Sequence, residues 1–115
     1  MDQICAVFSI LPGKAAAARD FMRQLDGARR AEYDRSERRI GITKEVWFLA
    51  HGAAGDQLVG YMEGGNFQNA LGAFSKSQDP FDQWFKRCFA EVTGVDFNNL
   101  PPDLQLPELL SSYQD

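Results

Sequence analysis

Apolar residues follow two rhythms along this chain. Ile-Cys-Ala-Val-Phe-Ser-Ile-Leu closes on Pro12-Gly13, so Gln3 to Leu11 is predicted to be a first strand. Ile4, Ala6, Phe8 and Ile10 fall on one side, and Cys5, Val7 and Leu11 on the other, so neither face is plainly wet. From Gly13 to about Arg39 the spacing changes. Ala17, Ala18, Phe21, Met22, Leu25 and Ala28 recur three and four apart among Arg, Glu and Asp. That pattern predicts one long helix of roughly 35–40 Å, bent at Gly27 and stopped by Gly41.

Between Ile42 and Gly65 the alternation returns. Two β-rich runs flank Gly-Ala-Ala-Gly-Asp, a hairpin signature. Val46, Phe48 and Ala50 alternate with Glu45, Trp47, Leu49 and His51. On the return run Leu58, Gly60 and Met62 alternate with Val59, Tyr61 and Glu63. Asn66 is a candidate N-cap for a short helix carrying Phe67, Ala70, Leu71 and Phe74. Asp79-Pro80 starts another, with Phe81, Trp84, Phe85, Cys88, Phe89 and Val92 as its stripe. Residues 1–94 form one domain in this reading. Residues 95–115 are an acidic, Pro-rich C-terminal extension packing on it, with a candidate last strand at Glu108 to Tyr113.

Strand, helix, strand, strand, helix and a candidate strand is the order of a ferredoxin-like, α+β, βαββαβ antiparallel sheet with helices on one face. Its other face would be apolar and open, and the remedy is a second copy packed sheet to sheet as a homodimer. The chain resembles the dimeric α+β barrel superfamily, which includes antibiotic-biosynthesis-type monooxygenases and stress-responsive barrel proteins. The likeness lies in four places. They are the Leu11-Pro12-Gly13-Lys14 turn, the Arg-rich helix ending Ile40-Gly41-Ile42, the hairpin of Glu45 to Leu49 with Leu58 to Glu63, and Asn66 to Phe74 followed by Asp79-Pro80-Phe81. It is most like short members of unknown function. The resemblance implies a dimeric α/β barrel with a pocket between helices and sheet in each subunit. It also implies enzymes that act on polycyclic aromatics or haem without a separate flavin or metal, so no cofactor is expected.

Composition narrows the classes. At 115 residues, 44% hydrophobic and 12% aromatic, the chain builds a core without disulfides. Cys5 and Cys88 sit in apolar runs without metal spacing, which reads as two thiols in a reducing, cytoplasmic setting. The net charge of −4 argues against a nucleic-acid partner. No segment has the ~18 apolar residues of a membrane span.

No catalytic or metal motif stands out. His51 is the lone histidine; it reads first as a hairpin-end residue, and functionally as a general base or ligand anchor. Trp47, Tyr61, Trp84 and Phe85 read first as core and interface, and functionally as ligand-binding walls of a pocket for a flat apolar molecule. Arg29, Arg30, Arg35, Arg38 and Arg39 are interleaved with Glu32, Asp34 and Glu37, a solvated helix face on which the acidic tail of the same or the partner subunit would dock. Three functions follow: binding of a small apolar or aromatic molecule, cofactor-independent monooxygenase or isomerase chemistry, or a structural module whose aromatics fill the core. A cavity of ~300 Å³ or more separates the last from the others.

Overall fold

A computed structural model describes residues 1–100 and 104–115. The elements are β1 (Asp2–Ser9), α1 (Ala15–Asp26), α2 (Arg30–Ile40), β2 (Ile42–Gly52), β3 (Gly55–Gly64), α3 (Phe67–Lys76) and α4 (Pro80–Thr93). All strand pairings are antiparallel, and β3 lies between β1 and β2. The fold is α+β and ferredoxin-like.

Register decides which residues meet. Ile4, Met62 and Glu45 lie in one row across the sheet, as do Ala6, Gly60 and Trp47, and Phe8, Leu58 and Leu49. These rows face the helices. Ala6, Phe8 and Leu58 are buried there, with Phe21, Phe85, Phe89 and Val92 of the helices packed on them. Phe89, with no exposed surface, meets Phe8 edge-on at 4.8 Å. The indole of Trp47 lies across the sheet because Gly60 has no side chain: a Cβ there would stand 2.7 Å from the ring.

The long helix expected between Gly13 and Arg39 is two helices. α1 ends at Gly27, whose φ of −117° and ψ of −110° leave the helical region, and α2 starts at Arg30. The backbone N–H of Arg29 turns back to the carbonyl of Gln24 at 2.8 Å. Helical spacing persists from Leu25 through Tyr33 to Ser36, so periodicity reads across the break. The axis changes direction at the glycine, which lets α2 pack along β2, α3 and α4 as well as α1. The helix starts follow their signals. Asn66 Oδ1 accepts from the Asn69 N–H at 2.9 Å, and Asp79 Oδ1 accepts from the Phe81 N–H at 2.9 Å with Pro80 next in line.

β1 closes at Ser9, two residues short of the expected Leu11, whose N–H donates to the Val92 carbonyl at 2.8 Å instead of to a strand. Residues 104–115 form neither helix nor strand. Pro107 has no N–H to donate to a ladder, which removes one bond from any strand starting there. Pro101, Pro102 and Asp103 of the expected extension lie outside the described residues. Among the described residues, no ion pair joins the tail to the arginines of its own subunit. Arg29 pairs with Glu32, Arg30 with Asp34 of its own helix and with Asp26 at the end of α1, and Arg39 with Asp79 and Asp82. Leu104 and Leu106 instead line a cavity beneath the helices, and Pro107 to Ser111 pass Gln3, Ile4 and Cys5 at the β1 edge.

Candidate functional site

That cavity lies between the helix-facing side of the sheet and α2, α3 and α4. Its volume is about 60 Å³, room for a few atoms and well under the ~300 Å³ of a typical ligand site. Its walls are apolar: Met62 and Phe8 of the sheet, Phe74 of α3, Phe81 and Phe85 of α4. Four polar side chains reach it, Tyr33, Ser36 and Glu37 from α2 and Glu45 from β2.

Residue spacing puts them there. Tyr33, Ser36, Glu37 and Ile40 share one face of α2 by their three- and four-residue steps. Glu45 shares the helix-facing side of β2 with Trp47 because strand side chains alternate. Ser36 donates to Asp82 at 2.5 Å and is thereby committed to the framework. Tyr33 Oη donates to Glu45 Oε2, and the Trp47 indole N–H donates to the same oxygen at 3.0 Å. Glu37 has no such donors. Its Oε2 is sealed from solvent with no hydrogen-bond partner among the described residues.

Two half-buried carboxylates side by side repel each other with little solvent between them, which favours a proton held on the pair. Burial, then the charge and hydrogen bond of Glu45, push the Glu37 carboxyl far above the ordinary carboxylate range, and Asp82 and Asp34 add to this. Burial also raises Glu45, against the hydrogen bonds from Tyr33, Trp47 and Glu37 that favour its anion. Burial raises both carboxyls, so the pair shares a proton, and the donors from Tyr33 and Trp47 favour placing the charge on Glu45. Burial and the neighbouring Glu45 keep the Tyr33 phenol protonated. Among the described residues, no salt bridge reaches either carboxyl.

The residues singled out by sequence divide. Trp47 and Phe85 line the cavity. Tyr61 stands on the opposite face of the sheet, in the row of Cys5 and Val46, and donates to Glu63 at 2.6 Å. Trp84 lies outside the cavity, stacked under the Arg29 guanidinium at 4.0 Å and edge-on to Phe21 at 5.5 Å. His51, at the exposed hairpin end, pairs with Asp56 at 2.7 Å. The carboxyl pair was not singled out. Its signal was Glu45, an acid on the same side of its strand as Trp47 and Leu49. Among the described residues no group of three or more His, Cys, Asp or Glu is placed to hold a metal, and no helix is long and apolar enough to cross a membrane.

Fold and strand order are those of a ferredoxin-like α+β protein, the fold class that the sequence predicts. More narrowly, residues 1–111 match DUF6176, a family of unknown function, and the chain belongs to that family. No curated protein matches it. Among solved structures it is similar to tetracenomycin F2 cyclase from Streptomyces glaucescens, a type-II polyketide cyclase. The two share 15% identity and a TM-score of 0.59, over 100% of this chain and 99% of the cyclase. At that identity the likeness is one of fold.

Proposed function

We propose that this protein binds a small apolar or aromatic molecule carrying a hydroxyl or carbonyl group in the cavity between α2, α3, α4 and the sheet. The observation that carries this reading is the carboxyl pair. A module that only fills its core has no use for two acids facing each other in an apolar space, a costly arrangement. A ligand hydroxyl has a ready acceptor in Glu45, and a ligand carbonyl a ready donor in Glu37. The solved structure of similar fold is a type-II polyketide cyclase, and the apolar, aromatic walls of this cavity would suit a flat molecule once it is widened. A ligand of that size displaces Leu104 and Leu106. Among the described residues no hydrogen bond ties the segment 104–115 to the domain, so only apolar contacts resist.

Cavity size favours a second reading, a structural module with a filled core. Thermal-shift titration with 2-naphthol, on the wild-type chain and on L104A/L106A, separates the two. Saturable stabilisation, stronger in the double variant, is expected for a binding protein. No shift in either chain would leave the filled core standing.

The protein also acts as a homodimer in this proposal. The sheet face turned away from the helices carries Cys5, Val7, Val46, Phe48, Val59 and Tyr61 in adjoining rows. Val7 is 42% and Phe48 58% exposed, large apolar groups at the centre of a sheet face. A second copy of this chain is the self-complementary cover for a face of this kind. F48E is expected to shift sedimentation mass from dimer to monomer at micromolar concentration; a wild-type monomer would end the proposal. The two free thiols, Cys5 and Cys88, suit a cytoplasmic setting.

A further inference from the structure

The two carboxyls that face the cavity differ in every respect that acid–base chemistry needs. Glu45 receives two donors on one oxygen, Oε2, from Tyr33 and Trp47. Glu37 receives none, and its sealed Oε2 is the buried side-chain atom left without a partner among the described residues. Both line the same apolar space, beside Met62 and Phe81.

We propose that Glu37 and Glu45 form an acid–base pair that enolises a planar carbonyl compound bound in this cavity. The Glu45 carboxylate takes a proton from the carbon next to the carbonyl, and that C–H electron pair becomes the new C=C bond. The carbonyl π electrons move to oxygen, which receives the Glu37 proton. Glu45 leaves the step protonated and Glu37 ionised. A proton passing between the two carboxyls resets them, so the cycle needs no oxidant, reductant or metal. Tyr33 is a positioning residue: its hydroxyl holds Glu45 Oε2 and directs the other carboxylate oxygen toward the substrate. The groups facing the pair are Tyr33 and Asp34 of α2, Trp47 of β2 and Asp82 of α4, the last neutralised by Arg39. Among the described residues, α3 and the tail contribute only apolar side chains to the cavity.

The inference rests on the ligand-binding reading, and the test separates them. The full chain is incubated with 2-tetralone in heavy water, and deuterium at C1 is followed by NMR. Binding of 2-naphthol, which mimics the enol, is measured alongside. The wild type is expected to speed exchange over buffer by at least about 100-fold, and E37Q and E45Q to lose most of that gain. E37Q should still bind 2-naphthol, within about threefold of wild type, because its amide can donate to Glu45 as the acid does. Binding without accelerated exchange, or exchange unchanged in E37Q, would overturn the acid–base assignment and leave the binding reading intact. Absence of 2-naphthol binding would overturn both. Carbon-13 NMR of the glutamate carboxyls in the unmutated chain gives a readout independent of folding in the variants. One shared proton held through neutral pH is expected, and two carboxyls that both ionise near pH 4 would refute the pair.

Discussion

Asp82 and Glu37 are both acids at the junction of α2 with the rest of the fold, and their surroundings treat them in opposite ways. Asp82 has no exposed surface and accepts from Ser36 and Ser77, each at 2.5 Å, and from Arg39 at 2.8 Å. Burial would raise it, but those hydrogen bonds and the Arg39 charge hold it below the ordinary carboxylate range. One turn along, the buried Lys86 donates to the carbonyls of Phe74, Ser75 and Ser77, closing the C-terminus of α3. That region ties α2, α3 and α4 together with every charge answered. The Glu37–Glu45 pair, on the cavity side of the same helix, has two acids, two neutral donors and no cation. A satisfied buried charge holds a fold together; one left short of partners is a cost that binding or chemistry must justify.

The largest effect should come from breaking the satisfied region. D82A leaves Ser36 and Ser77 without their acceptor and Arg39 with Asp79 alone at 3.5 Å, and a loss of about 3 kcal/mol is expected in urea unfolding. A loss below ~1 kcal/mol would mean the serines and the arginine find water easily.

E37Q should move stability the other way. The folded Glu37 is protonated where the unfolded one, near pKa 4.3, is ionised. Folding therefore takes up a proton, and stability falls as pH rises, by about 1.4 kcal/mol per pH unit, until the folded value is reached. Asp82 has the opposite sign: its contribution is present above the ordinary carboxylate pKa and lost as pH falls through its lowered folded value. The wild-type melting temperature should therefore peak in mildly acidic solution and decline toward alkaline pH. E37Q should flatten that decline and stabilise the protein at pH 8 by roughly 2 kcal/mol, the cost of burying the amide offsetting the rest of the accumulated slope. A wild-type profile with no alkaline decline, or E37Q less stable at pH 8, would contradict a neutral Glu37.

A smaller effect tests how the pair is placed. In G60A the added Cβ meets the Trp47 ring, packed against Phe8 and Phe89 at centroid distances of 6.4 and 5.7 Å. The ring must shift and loosen its bond to Glu45, at a cost of about 1–2 kcal/mol. Indole fluorescence should change with it; an unchanged spectrum and melting temperature would show that the sheet yields instead. The smallest effect is H51A. At the exposed hairpin end it should change stability by no more than ~0.5 kcal/mol and leave 2-naphthol binding untouched.

Much of this architecture is written in local pattern. Alternation marks the three strands, Gly52 and Gly55 frame the hairpin turn, and Asn66 and Asp79 cap the helices they precede. The break after Asp26 is less legible. The apolar stripe runs through it at helical spacing, and only Gly27 hints at a turn. The carboxyl pair is least legible. Glu37 sits in a run of arginines and acids that reads as a wet helix face, and its burial comes from the way α2 is tipped against β2. Tyr61 and Trp84 show the converse. Both carry aromatic rings with polar tips, yet register sends one to the far face of the sheet and helix phase sends the other beneath Arg29.

The sequence by itself determined what depends on neighbours along the chain: strand and helix type, caps, turns and the apolar faces, because those follow from side-chain periodicity and backbone preference within a few residues. Only the tertiary structure decided that Glu37, from one helix, would meet Glu45, from one strand, in an apolar cavity under Leu104 and Leu106. Protonation of a carboxyl there depends on solvent exclusion and on a second charge eight positions away in sequence, and both exist only once the helix has packed on the sheet.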